Sequence, residues 1–520
     1  MTQEEMVSEF SNRFANRFNT SIRDLRREDD IVGFIDEVCR ECEKMLPQNI
    51  KYKGFYFDDS FNSNNSLAEY NSGMKNVKKN TVILHCKETL ARLCVFEFDL
   101  KLESERKEGP ITEKSRVKMP IWIPLLYDDY HYYIKGNKYS PPIQIIDRII
   151  YANQSDMIIL KTMSRPIKMT KTKGTSIVDI FGNKFLTQTF HIYISKKKIP
   201  FLLFYLAYYN FNGTLDFFNA KDHIKLVNIK NIYDISEEQN QKYLYFKFGQ
   251  CYLQVDRAGF EGNLQIRQFV ASLLSVVKKS MDATYIHNIE RWQAVLGSYI
   301  NDINAIEKGN GLVKTFVNAL DFRTKDLIKD LIPDGDKKQD THSMIRYMFM
   351  EFSNLSSRKI TDMGNKRLRL GEYLISPIIK AMQYKIYRFL NINRKNRSIK
   401  HLEDIMKISS QVLLNCMIGK ITKKELALNI MKYSSYTNDN ALLNSALRAV
   451  TNGPGSPAQN SGKHISVDHR QFDETSLGKI CTIYASASDP GVSLMMVPMA
   501  LIDKEKKIFI EENCSQYLQQ

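Results

Sequence analysis

The sequence lacks any hydrophobic run long enough to cross a membrane. Its most apolar stretches, at 200–211 and 492–502, fall well short of the ~20 residues that a membrane-spanning helix needs. The opening residues, MTQEEMVSEF, are acidic and have no apolar centre, which is not the pattern of a secretory signal. We therefore expect no membrane partner for this chain.

Cysteine is also sparse. Eight cysteines are scattered over 520 residues, and Cys39 and Cys42 form the single CxxC pair. That pair lies inside a helical pattern and has no second CxxC or CxxH beside it, whereas a structural zinc site needs four ligands. We expect reduced thiols in a cytoplasm and no metal site in this chain.

The motifs of a self-sufficient active site are missing as well. There is no GxxxxGK[ST] phosphate loop, no GxGxxG after a strand, no HExxH pair and no GxSxG elbow. Asp334 and Asp336 flank Gly335, but this acidic cluster follows a helix and a proline and has no further carboxylates at ligand spacing. We interpret it as a surface turn and assign no catalytic residue to the chain.

What the sequence does have is bulk and positive charge. A hydrophobic content of 43%, with 28 Phe and 27 Tyr, is enough for sizeable cores, and the length predicts two to four domains. The formal net charge of +16 favours a polyanionic partner such as a nucleic acid. Lysine enrichment also follows from an AT-rich coding genome, so charge alone leaves the partner open.

Hydrophobic periodicity predicts a mixed α+β, multidomain chain. Helical spacing covers 6–25, 31–46, the region from about 264 to 332, 371–389 and 401–450. Strand-like segments cover 81–100, 119–150, 151–250, 463–484 and 492–511. Charged or flexible connections are expected at 101–118 (alternatively an edge segment), 161–174, 195–198 and 452–462.

Two features of the helix after residue 371 can be stated more closely. One face is apolar and carries Leu374, Ile378, Met382, Ile386 and Phe389. Ser376-Pro377 interrupts the pattern, either as a kink or as an N-cap followed by proline at the first helical position.

Residues 361–374, TDMGNKRLRLGEYL, place cations directly after a turn. Lys366, Arg367 and Arg369 follow Gly364-Asn365. Arginine and lysine suit phosphate contacts, and glycine lets a backbone approach an anion closely. The segment is therefore either a phosphate-binding elbow or a loop whose cations are solvated or paired with Glu372 or Asp362.

This segment and two others resemble, in order, the N-terminal half of the β subunit of multisubunit DNA-directed RNA polymerases. The matching positions of the first stretch, 123–148, are Pro124, Leu125, Asp128, Ile134 and Gly136. Those of the second are Asp362, Gly364, Asn365, Lys366, Arg367, Arg369, Gly371, Glu372 and Leu374. Those of the third, a fork-like region, are Arg448, Gly453, Pro454, Gly455, Gly478, Lys479, Cys481, Pro490 and Leu494.

The resemblance implies a domain plan. It gives a protrusion at 1–150 and 361–445, an inserted lobe at 151–360, and a fork region at 446–520, with the catalytic barrel of the family absent from this chain. Protrusion and lobe would form one jaw of the DNA cleft, with the fork loop near the active site. The residues expected to contact nucleic acid are Lys366, Arg367, Arg369, Arg448, Gly453, Pro454, Gly455, Lys463 and Lys479.

The departures from the family are also informative. Tyr484–Ser488 replaces the family's Glu-Thr-Pro-Glu-Gly run, and Leu447 replaces one of two fork arginines. Together with the length, this resembles the divided β subunits of giant-phage RNA polymerases. The implied partners are a C-terminal β fragment, β′-like fragments, an optional promoter-specificity subunit, template DNA and nascent RNA.

Catalysis in such an enzyme would use Mg²⁺ held by a β′-like partner, not by this chain. The implied location is the cytoplasm of an infected bacterium, with packaging of the enzyme in the virion left open. The alternative hypothesis is a basic phage packaging or structural protein that binds nucleic acid strongly by itself.

Overall fold

A computed structural model describes most of the chain outside its N-terminal residues, residues 59–88 and much of the C-terminal fifth. The described residues are 28–58, 89–106, 109–128, 131–134, 137–140, 144–162, 166–194, 197–228, 236–277, 281, 283–300, 303–358, 361–369, 372–390, 392, 396–417, 431–432, 473–480, 502–503 and 508–509. The helix predicted at 6–25 and the loop predicted at 452–462 lie outside them.

The chain forms two compact units. Unit 1 comprises Met1–Arg148, Lys359–Phe389 and Arg394–Gln520, and unit 2 comprises Ile149–Arg358 and Leu390–Asn393. The larger part of unit 2, Ile149–Arg358, is thus an insertion in the sequence of unit 1. Its identification with the lobe predicted at 151–360 stays a prediction.

Unit 1 contains most of the longer strands and the longest helices. Its helices are α1 (Glu28–Met45), α12 (Glu372–Leu390), α13 (Ile399–Met406) and α14 (Val412–Met417). Its strands are β1 (Ile50–Phe57), β2 (Ala91–Arg106), β3 (Gly109–Pro124), β4 (Leu126–Asp128), β5 (His131–Ile134), β6 (Asn137–Ser140), β7 (Gln144–Asp147), β18 (Lys366–Arg369), β19 (Met431–Lys432), β20 (Ile502–Asp503) and β21 (Ile508–Phe509).

Unit 2 begins with strands and continues with helices. Its strands are β8 (Ile150–Gln154), β9 (Met157–Leu160), β10 (Ile167–Lys171), β11 (Thr175–Val178), β12 (Lys184–Thr187), β13 (Phe190–Ile194), β14 (Lys197–Pro200), β15 (Ile224–Val227), β16 (Tyr243–Phe248) and β17 (Cys251–Asp256). Its helices are α2 (Leu202–Phe217), α3 (Glu237–Lys242), α4 (Arg257–Gly262), α5 (Leu264–Leu274), α6 (Ala283–His287), α7 (Ile289–Ser298), α8 (Ala305–Val317), α9 (Phe322–Leu331), α10 (Thr341–Met350) and α11 (Phe352–Ser356).

The principal sheet of unit 1 has the order β1-β2-β3. β2 and β3 form a hairpin in which the two 16-residue strands pair along their whole length. Phe96, Phe98 and Leu100 of β2 are at most 2% exposed. Alternate residues point to opposite faces, so Glu97 and Asp99 share the other face. There they pair with Lys118 and Arg116 of the neighbouring strand.

The described part of 101–118 is therefore strand, which contradicts the charged loop and agrees with the alternative of an edge segment, because β3 is an edge strand of this sheet. Its charges alternate with residues such as Leu102, which is 3% exposed, so the period of two marks a half-buried strand. Its many charges had favoured a connection. The short hairpins predicted after residue 119 are confirmed, with strands ending at Asp128 and beginning at Asn137.

Three further expectations are wrong in whole or in part, and the alternative left open at Ser376-Pro377 is decided. The predicted connection 161–174 contains β10, and the apolar run at 200–211 is largely helical rather than strand, because α2 is buried in the core of unit 2. Within 401–450 the described helices end at Met406 and Met417, and β19 follows. Pro377 lies inside α12, so Ser376 is not its N-cap.

The helical part of unit 2 follows the predicted change of period after residue 264. One continuous apolar core joins its sheets and helices, and Trp292, Tyr205 and Phe204 are fully buried in it. In unit 1, the predicted face of α12 is confirmed for Ile378, Met382, Ile386 and Phe389, each at most 1% exposed. Among the described residues, no helix is both long and apolar enough to span a membrane.

Candidate nucleic-acid interface

The cation-bearing elbow begins with a 3-10 turn at Met363–Asn365 that is capped by its own acidic residue. Asp362 Oδ1 accepts a hydrogen bond from the Gly364 amide at 2.7 Å, and its Oδ2 accepts from Asn365 Nδ2 at 3.3 Å. Aspartate is favoured at this position because its carboxylate satisfies amides that the turn leaves unpaired. The Gly-Asn turn is thus fixed locally.

The strand after the turn closes onto the strand that precedes the insertion. β18 pairs antiparallel with β7, with Lys366 opposite Asp147 and Arg369 opposite Gln144. The Arg148 amide donates to the Asn365 carbonyl at 2.8 Å, which extends the pairing into the turn. The chain therefore leaves and re-enters unit 1 through two hydrogen-bonded strands.

Within this pairing, Lys366 is a structural cation. Its Nζ lies 2.5 Å from Asp147 Oδ1, and the two side chains are only 12% and 22% exposed. The partner is Asp147, not the Glu372 or Asp362 considered from local spacing. Arg367 is 4% exposed. Arg369 is placed as a strand residue, and phosphate contact by any of these cations stays a prediction.

A second short turn docks on the elbow from far along the sequence. Thr475 Oγ1 accepts a hydrogen bond from the Met363 amide at 2.9 Å and donates to Asp473 Oδ1 at 2.8 Å. Asp473 in turn caps the 3-10 turn Glu474–Ser476 through the Thr475 amide. The Asp-x-Thr sequence signals this cap, but nothing local signals its contact with Met363.

Lys479, one of the predicted contact residues, follows this turn closely in the sequence. The Lys479 amide donates to the Ser476 carbonyl at 3.1 Å, and its side chain is half-buried. Gly478 adopts a φ of 71°, which glycine tolerates without a steric penalty. The remaining predicted contact residues, Arg448, Gly453, Pro454, Gly455 and Lys463, lie outside the described residues.

Neither of the metal candidates weighed from sequence is assembled as a site in the described part of the chain. No group of three His, Cys, Asp or Glu side chains is gathered there. Asp336 is exposed and lies 3.5 Å from Lys329. Burial raises the pKa of the Cys42 thiol to about 12, which disfavours the thiolate that zinc requires.

Comparison with known proteins gives one family match. The family model described as "Non-virion RNA polymerase subunit" matches residues 3–515, nearly the whole chain. No curated protein sequence matches the chain.

Proposed function

The chain belongs to the family of non-virion RNA polymerase subunits, and from this premise we propose that it is the N-terminal part of a divided β subunit. The polymerase is a phage enzyme that acts in the infected cell. The proposal is supported by the three β-like stretches at 123–148, 361–374 and 447–494, which occur in the family's order. The family assignment decides against the packaging-protein alternative.

The observation that carries the proposal is the closure of β7 on β18. A protrusion with an inserted lobe needs a point where the chain leaves and returns, and the paired strands supply one on each side of Ile149–Arg358. The most family-like segment of the sequence, with Gly364-Asn365 and Lys366, occupies this closure. Its turn and ion pair hold the two strands of the closure together.

In this role the chain contributes positioning and electrostatics rather than acid–base chemistry. The protrusion and lobe expected from the resemblance would form one jaw of the DNA cleft, and 452–462 would approach the active site as the fork loop. Mg²⁺ would be held by a β′-like partner, where it would stabilise the charge that develops during nucleotidyl transfer. The residues of this chain would orient the nucleic acid so that the reacting groups are held in the geometry that the transfer needs.

The proposed partners follow from the same assignment. They are a C-terminal β fragment, β′-like fragments, a promoter-specificity subunit, template DNA and nascent RNA. As part of a larger assembly, the chain alone should bind DNA weakly and gain affinity only when the other side of the cleft is present.

The test is purification of the tagged chain from infected cells, followed by an assay of Mg²⁺-dependent RNA synthesis and identification of the co-purifying proteins. We expect an active complex that contains the β′-like subunit that holds Mg²⁺ and a chain that continues β after the fork. Recovery of a different β N-terminus in that complex, or of this chain with no RNA synthesis, would contradict the proposal.

A further inference from the structure

The five-stranded sheet of unit 2 has two chemically different faces. Its strand order is β14-β13-β10-β9-β8, and all neighbouring pairs are antiparallel. One face carries Ile158, Leu160 and Met169, which are fully buried in the core of unit 2. The opposite face is set by the residues that alternate with these.

On that opposite face, the register aligns two lysines and a tyrosine across three strands. Lys168 of β10 is opposite Tyr193 of β13, and Tyr193 is opposite Lys198 of β14. Directly paired side chains lie on the same face, so the three form a row with the ring in the middle. Lys168 and Lys198 are exposed, and Tyr193 is half-buried.

The next row on the same face is mixed, with Thr170 and His191 lying between Met157 and Pro200. Thr170 of β10 is opposite His191 of β13, and Thr170 is 5% exposed with no partner for its hydroxyl oxygen. Burial and the nearby charge of Lys198 lower the pKa of His191 to about 4.

The charge of the sheet is entirely of one sign. The five strands IYANQ, MIIL, IKMTK, FHIYI and KKIP contain four lysines and no aspartate or glutamate. This differs from the β2–β3 hairpin, where Lys118 and Arg116 pair with carboxylates one strand away. Among the described residues, Lys168 and Lys198 have no such carboxylate partner.

We propose that the Lys168–Tyr193–Lys198 row binds a single-stranded nucleic acid, with a base stacked on the Tyr193 ring and phosphates held by the two lysines. Adjacent strands are ~4.8 Å apart, so the lysines flank the ring on both sides. An aromatic ring between cations is the arrangement that binds unpaired strands, because stacking needs an exposed base and the backbone needs positive charge. A duplex has no base free to stack on the ring.

The sheet's register and charge are sufficient for single-strand binding by this surface. That the strand is one opened during transcription rests on the proposed function. The shared chemistry is that of single-stranded DNA or RNA. An oligo(dT) arm and an oligo(U) arm of the experiment distinguish the two, and a blunt DNA duplex serves as the third probe.

The first measurement is fluorescence anisotropy of labelled oligo(dT) and oligo(U) with the full-length chain, between about 50 and 200 mM salt. In the plot of log K against log salt, the Lys168→Ala/Lys198→Ala double variant should have a negative slope that is smaller in magnitude by about 1.4. Each phosphate contact on a single strand contributes about 0.7 to that magnitude. The matched control is Lys184→Ala/Lys247→Ala, which removes two exposed strand lysines of unit 2 and should leave the slope unchanged.

A second pair of variants tests the stacking. Tyr193→Phe should retain affinity because the ring remains, whereas Tyr193→Leu should lose about 5- to 100-fold, the range expected for one base–aromatic stack. Circular dichroism and tryptophan emission confirm that each variant is folded. Absence of binding by the wild-type chain, equal slopes for the two double variants, or equal affinities for Tyr193→Phe and Tyr193→Leu would overturn the proposal.

The outcomes remain separate from those of the purification test. Loss of binding in these variants together with failure of the chain to join a polymerase would keep the surface and reject the β-subunit assignment. If the chain joins an active polymerase but its oligonucleotide binding does not depend on Lys168, Tyr193 and Lys198, the β-subunit assignment stands and the binding surface is rejected.

Discussion

At the scale of single residues, Lys366 shows why a cation beside a turn need not face a ligand. Its side chain is only 12% exposed, and Asp147 Oδ1 lies 2.5 Å from its Nζ. The sequence distance between the two is 219 residues, so local spacing could suggest only Asp362 or Glu372. The charge of Lys366 is compensated across the strand pair before any phosphate arrives.

The first prediction concerns this pair. Lys366→Met should lower the free energy of unfolding of unit 1 by about 1–3 kcal/mol, between the values for exposed and fully buried pairs. Asp147→Asn should cost a similar amount, and the double variant less than the sum. Urea unfolding is followed by Trp122 emission in a Trp292→Phe background, because the two tryptophans lie in different units.

This cycle separates the two interpretations of the cation. If Lys366 instead serves nucleic acid, Lys366→Met would weaken DNA binding by the assembled enzyme and leave unit 1 as stable as before. Independent, additive effects of the two single substitutions would contradict a structural pair.

The second prediction concerns the docking of the 473–476 turn. Thr475→Val keeps the shape of the side chain but removes the acceptor of the Met363 amide, so it should cost about 1–2 kcal/mol. Thr475→Ser keeps the hydroxyl and should cost less. Hydrogen exchange of the Met363 amide provides the readout, and equal protection in both variants would show that Thr475 does not hold the turn.

The third prediction is a pH dependence centred on His342. This residue is 3% exposed and is surrounded by the rings of Tyr205, Tyr208 and Phe316. Burial lowers its pKa to about 4, with Asp340 as an opposing charge. An unfolded histidine has a pKa of ~6.5, so between these values the unfolded chain binds more protons. The stability is therefore complete above pH ~6.5 and falls as the pH drops toward 4.

The size of this effect should be on the order of 3 kcal/mol. His342→Phe should flatten much of the slope while keeping the ring packing, and His191 should account for a remaining part with the same sign. Unfolding is followed by Trp292 emission in a Trp122→Phe background at several pH values. The control is His287→Gln, an exposed site in the same unit, which should leave the slope as it is.

At the scale of elements, the α7–α8 pair shows how two glycines set a helix spacing. A Cβ on Gly297 would overlap the Ala305 carbonyl oxygen, and a Cβ on Gly309 would overlap that of Gln293. The backbones of the two helices therefore touch without intervening side chains. Such contact is the reason to keep glycine in a helix despite its poor propensity.

The fourth prediction compares two glycine-to-alanine changes. Gly309→Ala should lower the stability of unit 2 by more than about 2 kcal/mol, because backbone atoms must move apart. Gly33→Ala in α1 has open space around its Cβ and should stabilise unit 1 by up to about 1 kcal/mol through helix propensity. Urea unfolding is followed by Trp292 emission for Gly309→Ala and by Trp122 emission for Gly33→Ala. A change in stability of the same sign in both variants would contradict the close contact of the two helix backbones.

Elements with a clear single period could be predicted from the sequence, and those with conflicting signals could not. The spacing of Ile378, Met382 and Ile386 fixed α12 because one apolar face recurs over the whole helix. α2 was missed because both of its sides are apolar, so no period distinguishes helix from strand. β10 was missed because its lysines and threonine have the composition of a loop.

The candidate site divides in the same way. The Asp362 cap and the Gly-Asn turn are local and could be recognised from their spacing. The partners Asp147 and Thr475 are separated from the elbow by long stretches of chain, and only the folded register brings them there. The Lys168–Tyr193–Lys198 row is likewise a product of strand register, which a single sequence does not specify over such loops.

At the scale of the whole molecule, the insertion of unit 2 into the sequence of unit 1 has a direct consequence. The ends of the insertion are close, since the Arg148 amide bonds the Asn365 carbonyl at 2.8 Å and β7 pairs with β18. Unit 1 thus has its own hydrogen bonds across the point of insertion. The hydrogen bonds of the closure join residues of unit 1 only.

The fifth prediction follows from this closure. Replacing 149–358 by a short Gly/Ser linker should leave unit 1 folded, because a short linker costs little loop entropy when its ends are already held together. Trp122 emission and the coupling between Lys366 and Asp147 should match those of the full-length chain. In the assembled polymerase, this variant should still bind its partner subunits through unit 1, while losing the oligonucleotide binding assigned to the Lys168–Tyr193–Lys198 row.

The control replaces 149–358 by the same linker and adds Lys366→Met, which removes the ion pair that holds the closure. This chain should unfold at a lower urea concentration than the linker variant. The loss in its free energy of unfolding should equal the loss that Lys366→Met causes in the full-length protein. Aggregation of the linker variant with wild-type Lys366 would mean that unit 1 needs the inserted unit for its stability. In that case the β7–β18 pairing would be a result of the insertion's own folding and not the base that supports it.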